Sequence, residues 1–140
     1  MDEIKRRPCT KEDYEFAFQL VEESLFPLVA EYYTPDEKVF RDRFEQDYQE
    51  RIVLTVDEKP IGYYQLRTDG DRLEIKGIFL IKEYRGKGIG QKLMKEFETG
   101  GHKIISLTVW VNNPAVKFYK DLGYKIVGEK DHKYMMEKNL

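Results

Sequence analysis

The sequence has very little cysteine and histidine. Its 140 residues contain one cysteine, Cys9, and two histidines, His102 and His132. One cysteine cannot form an internal disulfide bond, and these three side chains are too few for a tetrahedral zinc site. Apolar runs such as residues 78–81 are also short, so no segment can span a bilayer. The first 30 residues contain no apolar signal core, so we predict a cytoplasmic protein. Because cysteine and histidine are scarce, we also predict that it needs no metal.

Charge of neither sign is in excess. The chain has 24 Lys and Arg residues against 26 Asp and Glu residues, a formal net charge of -2. This balance excludes a domain that binds nucleic acid through bulk positive charge, and we predict neither a nucleic-acid nor a membrane partner. Hydrophobic residues make up 41% of the chain and aromatic residues 14%, which is enough for a packed core. At this length, we expect residues 1–140 to form a single domain.

The patterning predicts an α+β fold. Apolar residues at steps of three and four predict a helix after Thr10, where Asp13 can complete a capping box, and Pro27 ends or kinks this helix. Pro35 is predicted at the first position of a second helix. The sequence predicts strands at residues 3–7, 51–56, 61–68, 72–81, 103–111, 124–127 and 133–136, of which residues 51–56 are rich in β-branched side chains. A helix crosses between the strands at 72–81 and 103–111, which makes these two strands parallel in a mixed sheet.

Three glycines at alternate positions separate a core strand from that crossing helix. Gly86, Gly88 and Gly90 let the backbone turn tightly and present its N–H groups to an anion at the positive end of the helix. Arg85 and Lys87 would add positive charge. The spacing fits neither a Walker A loop nor a Rossmann fingerprint, so a phosphate or pyrophosphate site and a purely structural turn both stay open at this point.

The segment Arg85-Gly-Lys-Gly-Ile-Gly90 resembles the acyl-CoA signature Arg/Gln-x-x-Gly-x-Gly/Ala of the GNAT superfamily of N-acetyltransferases. A second block, from Asn113-Pro-Ala through Phe118-Tyr119 to Leu-Gly-Tyr124, resembles a later block of the same family. The order of predicted elements is also similar over nearly the whole chain. The resemblance implies an α+β fold in which a mixed, largely antiparallel central sheet is splayed between two parallel strands and flanked by helices.

The resemblance also implies acetyl-CoA as co-substrate, without a metal. Backbone groups near the end of the strand at 72–81 would pair with the pantetheine amides; these residues are Phe79, Leu80 and Ile81. The glycine turn would hold the pyrophosphate; its residues are Arg85, Gly86, Lys87, Gly88, Ile89 and Gly90. Asn113 would hydrogen-bond the pantetheine arm, with Asn112 as the competing candidate.

The implied activity is that of an acyltransferase. An N-acetyltransferase moves the acetyl group to a primary amine by direct attack in a ternary complex, so it needs a base for the amine and an acid for the leaving thiolate. Tyr119 matches the family's general acid, which also contacts the cofactor. Glu74 is the first candidate for the base, acting through water, and His132 and a water chain are the alternatives.

The acceptor would be a small-molecule or peptide amine. Residues 24–45 are rich in acids and tyrosines, which suit a cationic amine, although a solvated helix face over core aromatics explains the same composition. The alternative function is a non-catalytic acyl-CoA-binding sensor or interaction module. The resemblance also admits a homodimer.

Overall fold

Helices and strands alternate along the computed structural model, which describes residues 3–140. The strands are β1 (Lys5–Pro8), β2 (Arg51–Val56), β3 (Lys59–Asp69), β4 (Arg72–Leu80), β5 (Ile104–Trp110), β6 (Lys125–Lys130) and β7 (Lys133–Asn139). The α-helices are α1 (Tyr14–Ser24), α2 (Phe26–Val29), α3 (Glu37–Asp47), α4 (Ile89–Glu98) and α5 (Ala115–Asp121). Short 3₁₀ turns are Lys11–Asp13, Tyr48–Glu50 and Lys82–Tyr84. No helix within residues 3–140 is long and apolar enough to cross a membrane.

The strands of the described chain form one seven-stranded sheet in the order β1-β2-β3-β4-β5-β7-β6. β4 and β5 pair in parallel, from Arg72 opposite Ile104 to Ile75 opposite Leu107, and β4 then continues to Leu80. The pairs β1/β2, β2/β3, β5/β7 and β6/β7 are antiparallel. The predicted mixed, largely antiparallel sheet with flanking helices is therefore confirmed.

The described chain divides into two compact units. The first contains the residues up to Gln65 together with Gly77–Arg85. Its core cluster combines buried side chains of α1, α3, β2 and β3 with the residue that follows β1: Cys9, Ala17, Leu20, Phe44, Val53 and Tyr63. Partly buried aromatic rings pack against this cluster, and Phe79 lies with its ring centroid 5.0 Å from that of Tyr63. The end of β4 is thus anchored in the core of the first unit.

The second unit contains Leu66–Lys76 and Gly86–Leu140. α4 contributes the apolar stripe that its spacing predicts, and all four side chains of the stripe are buried: Ile89, Leu93, Met94 and Phe97. Buried side chains on the strands of this unit are Leu73, Ile75, Ile105, Leu107, Val109 and Met136. Burial of this alternating pattern places the opposite, more polar side chains of the strands on the other face.

The beginning of α3 differs from its prediction. Pro35 was expected at the first helical position, but α3 begins at Glu37 with Asp36 as its N-cap. The Asp36 carboxylate accepts a hydrogen bond from the Lys38 N–H at 2.8 Å. A carboxylate at the N-cap satisfies an N–H group that has no intrahelical partner, and this gain outweighs the preference of proline for the first turn.

The closing hairpin is confirmed but runs in an order that the sequence did not predict. β7 lies between β5 and β6, and β6 forms the edge of the sheet. Met136 on β7 is fully buried, whereas Ile126 and Val127 on β6 are exposed. The strand with the more apolar buried face therefore takes the inner position.

Asp13 connects β1 to the beginning of α1. Its carboxylate accepts two hydrogen bonds from the Arg7 guanidinium, both at 2.8 Å. It also accepts a hydrogen bond from the Thr10 backbone N–H at 2.8 Å, as the predicted capping box requires. These hydrogen bonds, those to Arg7 above all, hold the pKa of Asp13 below its usual value.

We expect Asp13→Ala to lower the free energy of unfolding by about 1–3 kcal/mol at pH 7, because charge-assisted hydrogen bonds to a buried carboxylate are lost. A carboxylate with a lowered pKa in the folded state contributes stability above its unfolded pKa, and this contribution is lost as the pH falls through the folded value. Urea denaturation at pH 7 and pH 3 should therefore show a smaller difference from wild type at pH 3.

Asp42→Ala is the matched control. Asp42 forms an exposed ion pair with Lys38 at 2.8 Å, and we expect its removal to change stability by less than about 0.5 kcal/mol. An effect of Asp13→Ala that is equally small at pH 7 would contradict the assigned role of the Asp13 network.

Candidate functional site

The end of β4 carries backbone groups that alternate in direction. The Ile81 N–H donates to the Ile61 carbonyl of β3 at 2.8 Å, so this group is already used within the sheet. Because successive residues of an extended strand point their N–H and C=O groups to opposite sides, those of Leu80 face away from β3. Ile78, two residues earlier, shares that direction. Ile78 is not among the residues that the sequence predicts for this site, and strand alternation makes it a further candidate.

Arg85 folds back onto the strand that precedes it. Its Nε donates to the Leu80 carbonyl at 2.8 Å, and its Nη2 lies 3.4 Å from the Ser24 hydroxyl and 4.0 Å from the Glu23 carboxylate. The guanidinium is partly exposed. Arg85 therefore stabilises the turn after β4 within the first unit, and part of its charge is compensated by Glu23.

The glycine turn enters α4 through two left-handed residues. Gly86 has φ +72° and Gly88 has φ +83°, and a Cβ built at either position would have no other atom within 4 Å. Gly88 is the N-cap of α4, and no side chain donates or accepts a hydrogen bond at this cap. Since the N–H groups of the first helical turn have no intrahelical partner, they can bind an anion here.

The three glycines differ in what they require. Gly90 lies outside the left-handed region, and a Cβ there would be 3.5 Å from the Phe118 ring, an ordinary contact. Alanine at Gly90 is therefore compatible with the fold. Gly88 needs its positive φ, because L-residues other than glycine are strained in that conformation.

We expect Gly88→Ala to lower the free energy of unfolding by about 1–2 kcal/mol because of this backbone strain. Gly90→Ala is the matched control, and we expect it to stay within about 0.5 kcal/mol of wild type. Chemical denaturation of the three proteins measures both values. Equal losses in the two variants would contradict the assignment of the left-handed position.

Asn113 begins the helix that follows β5. Its Oδ1 accepts a hydrogen bond from the Ala115 N–H at 2.9 Å, which caps α5. Within residues 3–140 its Nδ2 group makes no hydrogen bond, so this amide can still donate to a ligand. Asn112 is half-buried beside it. A ligand contact by Asn113, rather than by Asn112, stays a prediction.

Tyr119 lies on α5 between two aromatic rings. Its ring centroid is 5.2 Å from that of Phe118 and 6.0 Å from that of Tyr124, and both pairs meet edge to face. Its hydroxyl makes no hydrogen bond with any residue that the structure describes. Burial raises the pKa of Tyr119 to about 12, so the phenol is protonated at neutral pH. A protonated phenol whose ring is fixed by packing against two aromatic rings is suited to donate a hydrogen bond to a ligand.

The two candidate bases have different surroundings. Glu74 is partly exposed on β4, and its carboxylate lies 3.7 Å from the Lys76 ammonium group. His132 is exposed in the turn between β6 and β7 with φ +67°, and its carbonyl accepts a hydrogen bond from the Val111 N–H. These surroundings do not test whether Glu74 or His132 acts as the base, so both roles stay predictions.

Several acidic side chains of residues 24–45 are already paired. Glu37 accepts hydrogen bonds from the Tyr14 hydroxyl at 2.9 Å and from Arg41 at 2.8 Å. The other pairs are Asp36 with the Lys38 N–H, Asp42 with the Lys38 ammonium group and Glu45 with Lys11. These contacts favour the solvated helix face over a ready-made cluster of acids for a cationic amine. No group of side chains suited to hold a metal ion occurs in residues 3–140.

Two curated proteins are similar to part of the chain. The uncharacterized N-acetyltransferase YjcF of Bacillus subtilis is 32% identical over 94 residues, which are 64% of this chain and 65% of that protein. The peptidyl-lysine N-acetyltransferase YjaB of Salmonella typhimurium is 28% identical over 80 residues, which are 57% of this chain and 52% of that protein. The matched region thus spans less than two thirds of either relative.

A solved structure and a family model match more of the chain. The crystal structure of PaiA N-acetyltransferase from Thermoplasma acidophilum in complex with coenzyme A has a TM-score of 0.75 at 22% identity, with 99% of each chain covered. At this identity the likeness shows the fold. The model of the acetyltransferase (GNAT) family matches residues 14–124, most of the chain. The chain therefore belongs to the acetyltransferase (GNAT) family.

Proposed function

We propose that this protein is an N-acetyltransferase that moves the acetyl group of acetyl-CoA to a primary amine by direct attack in a ternary complex. The observation that carries the proposal is the uncapped, glycine-built beginning of α4 in a chain of the GNAT family. Two relatives named N-acetyltransferases and a similar fold in complex with coenzyme A support it. Acetyl-CoA supplies an activated thioester, and the chain binds it and directs the amine to it.

The turn at residues 85–90 binds the pyrophosphate. The left-handed Gly86 and Gly88 present backbone N–H groups without side-chain obstruction. The helix dipole adds a partial positive charge at Gly88, and Arg85 and Lys87 add basic side chains nearby in the sequence. Several weak attractions to the same anion therefore act together.

The pantetheine arm pairs with the backbone of β4 as an added strand would. The N–H of Leu80 and the N–H and C=O of Ile78 are the proposed partners, because they face away from β3 and the Leu80 carbonyl already accepts from Arg85 Nε. The Phe79 side chain and the Ile81 N–H are instead engaged inside the first unit. Main-chain pairing of this kind gives affinity without depending on the side chains.

Tyr119 donates a hydrogen bond to the sulfur as the C–S bond breaks. Burial keeps its phenol protonated, with a pKa raised to about 12. An ordinary thiol has a pKa of about 8.5, so the phenol is the weaker acid. We therefore assign Tyr119 to stabilising the charge that develops on sulfur, with solvent completing the protonation.

Glu74 is the proposed base and accepts the amine proton through water. Its carboxylate is partly exposed, so a water molecule can reach it, and Lys76 lies beside it. His132 and a chain of water molecules are the competing routes. A Glu74→Gln variant separates them, because loss of the base lowers turnover, whereas a route through His132 or solvent leaves turnover in place.

The acceptor is a primary amine of a small molecule or of a peptide. A relative named as a peptidyl-lysine N-acetyltransferase supports a lysine side chain as one member of this class. Since the acids of residues 24–45 named above are paired within the chain, we place recognition of the acceptor on shape and hydrogen bonding as much as on charge. A cytoplasmic location, a single domain and a homodimer stay predictions from the sequence.

Calorimetric titration tests the binding step. We expect acetyl-CoA to bind with one-to-one saturation, dephospho-CoA to bind more weakly and ATP to bind weakest, because ATP lacks the pantetheine arm. Thiol release then measures transfer to a panel of amines: spermidine, a lysine peptide with a blocked N-terminus and a peptide with a free N-terminus. Absence of acetyl-CoA binding at millimolar concentration would contradict the proposal.

We expect Tyr119→Phe to reduce turnover by about 10–1,000-fold while the Kd for acetyl-CoA changes little, because the hydroxyl acts on the leaving sulfur. Its unfolding midpoint should stay near that of wild type, since the hydroxyl makes no hydrogen bond within the described chain. Tyr48→Phe, on the 3₁₀ turn after α3, is the matched control and should keep full turnover. Full turnover in Tyr119→Phe would overturn the assigned role, and acetyl-CoA binding without any transfer in wild type would favour the acyl-CoA-binding module.

A further inference from the structure

Gly62 on β3 lies directly against the backbone at the end of β4. A Cβ at Gly62 would lie 2.8 Å from Leu80 Cδ2 and 3.1 Å from Leu80 Cα, and it would overlap the Phe79 carbonyl oxygen. Two of these three neighbours are backbone atoms, which cannot move aside as the end of a side chain can. Only glycine therefore allows β3 and β4 to approach this closely here.

We propose that Gly62 is a positioning residue for the pantetheine arm of acetyl-CoA, although it contacts no part of the cofactor itself. The inference rests on the proposed function, in which the outward N–H of Leu80 pairs with a pantetheine amide. Any side chain at Gly62 pushes residues 79–80 away from β3. The N–H of Leu80 then moves with the strand.

Other contacts hold this short segment on both sides of the close approach. The Ile81 N–H is bonded to the Ile61 carbonyl at 2.8 Å, and the Leu80 carbonyl accepts from Arg85 Nε at 2.8 Å. The Phe79 ring packs 5.0 Å from the Tyr63 ring. Since the ends of the segment are fixed, an added methyl group displaces the backbone between them.

A second glycine makes room for the same residue from within β4. A Cβ at Gly77 would lie 2.5 Å from Cε2 of the Phe79 ring. Gly62 thus leaves space for the Phe79 backbone, and Gly77 leaves space for the Phe79 side chain. Two glycines that serve one strand end, next to the outward groups of Leu80, indicate that the position of this strand end is closely defined.

The expected displacement is large on the scale of a hydrogen bond. To relieve the overlap with a methyl group, the Phe79 carbonyl must move by on the order of 1 Å, whereas N–H···O distances span only about 2.7–3.2 Å. A misplacement of that size weakens an interaction that depends on alignment. The turn at residues 86–90 is a different segment, so binding of the nucleotide end should be preserved.

The experiment compares two probes on wild type and Gly62→Ala by calorimetry. Acetyl-CoA contains the pantetheine arm, and 3′-phosphoadenosine 5′-diphosphate carries the nucleotide and pyrophosphate of coenzyme A without that arm. We expect Gly62→Ala to weaken acetyl-CoA binding by at least about tenfold and to change the affinity for the nucleotide probe by less than about twofold. If Gly62 mattered only for stability, the variant would weaken the binding of both probes by similar factors.

Val56→Ala is the control for lost stability. Val56 is buried on β2, where it pairs with Lys59 beside the turn of the same hairpin, and its truncation destabilises the fold without adding an atom near Phe79. We expect both affinities of Val56→Ala to equal those of wild type. If Gly62→Ala does not fold, Gly77→Ala replaces it, and the same separation of the two probes is expected.

The outcomes distinguish this inference from the proposed function. Wild type that binds acetyl-CoA together with a Gly62→Ala variant that binds it equally well would overturn the inference and leave the proposed function standing. Equal weakening of both probes would also overturn the inference, because it would mark Gly62 as a residue of general stability. Wild type that does not bind acetyl-CoA would overturn both.

Discussion

The turn that leads from β4 into α4 is the constraint on which the candidate site depends. Within a few residues the chain must leave an extended strand and enter a helix. Arg85 returns to the Leu80 carbonyl at the strand end, and Gly86 and Gly88 take positive φ values at the helix end. Because neither glycine has a side chain that can cap the helix, no side chain accepts a hydrogen bond from the first N–H groups of α4 at this cap. The same turn therefore satisfies the geometry of the fold and provides N–H groups of the kind that can bind an anion.

Two other helices in the described chain begin differently. The Asp36 carboxylate accepts from the Lys38 N–H in the first turn of α3, and Asn113 Oδ1 accepts from the Ala115 N–H at the beginning of α5. Either side chain would compete with a bound anion, and the Asp36 carboxylate would repel it. α4 begins on Gly88 without such a group. The N–H groups at the beginning of a helix can donate either to a capping side chain or to a bound anion. At α4 no side chain uses them, so they can still donate to an anion.

The sequence predicted features that depend on one segment of the chain, but it did not predict the order in which distant strands pair. A helix between two strands predicts that they are parallel, and Pro27 predicts a break between α1 and α2; both follow from backbone rules that act within one segment. The insertion of β7 between β5 and β6 depends on which strand buries more apolar surface, and the burial of Met136 shows this only in the folded chain. Likewise, of the three residues predicted for the pantetheine arm, Ile81 uses its N–H to bond to the Ile61 carbonyl, whereas the backbone groups of Leu80 face the other way. The motif identified the segment, but the neighbouring strand decides which backbone groups face outward.

The number of acidic residues in the α3 region does not tell which of them are paired in the folded chain. Their number suggests attraction to a cationic acceptor, yet Glu37 is held by both Tyr14 and Arg41, and Asp42 is held by Lys38. An exposed ion pair contributes only about 0–1 kcal/mol, so an incoming ammonium group could replace the Lys38 ammonium at Asp42 with little loss. Replacing both partners of Glu37 would cost more, because a hydroxyl and a guanidinium lose their acceptor together. Composition therefore counts charges, whereas the attraction of this surface for a cation depends on which of those charges can change partner.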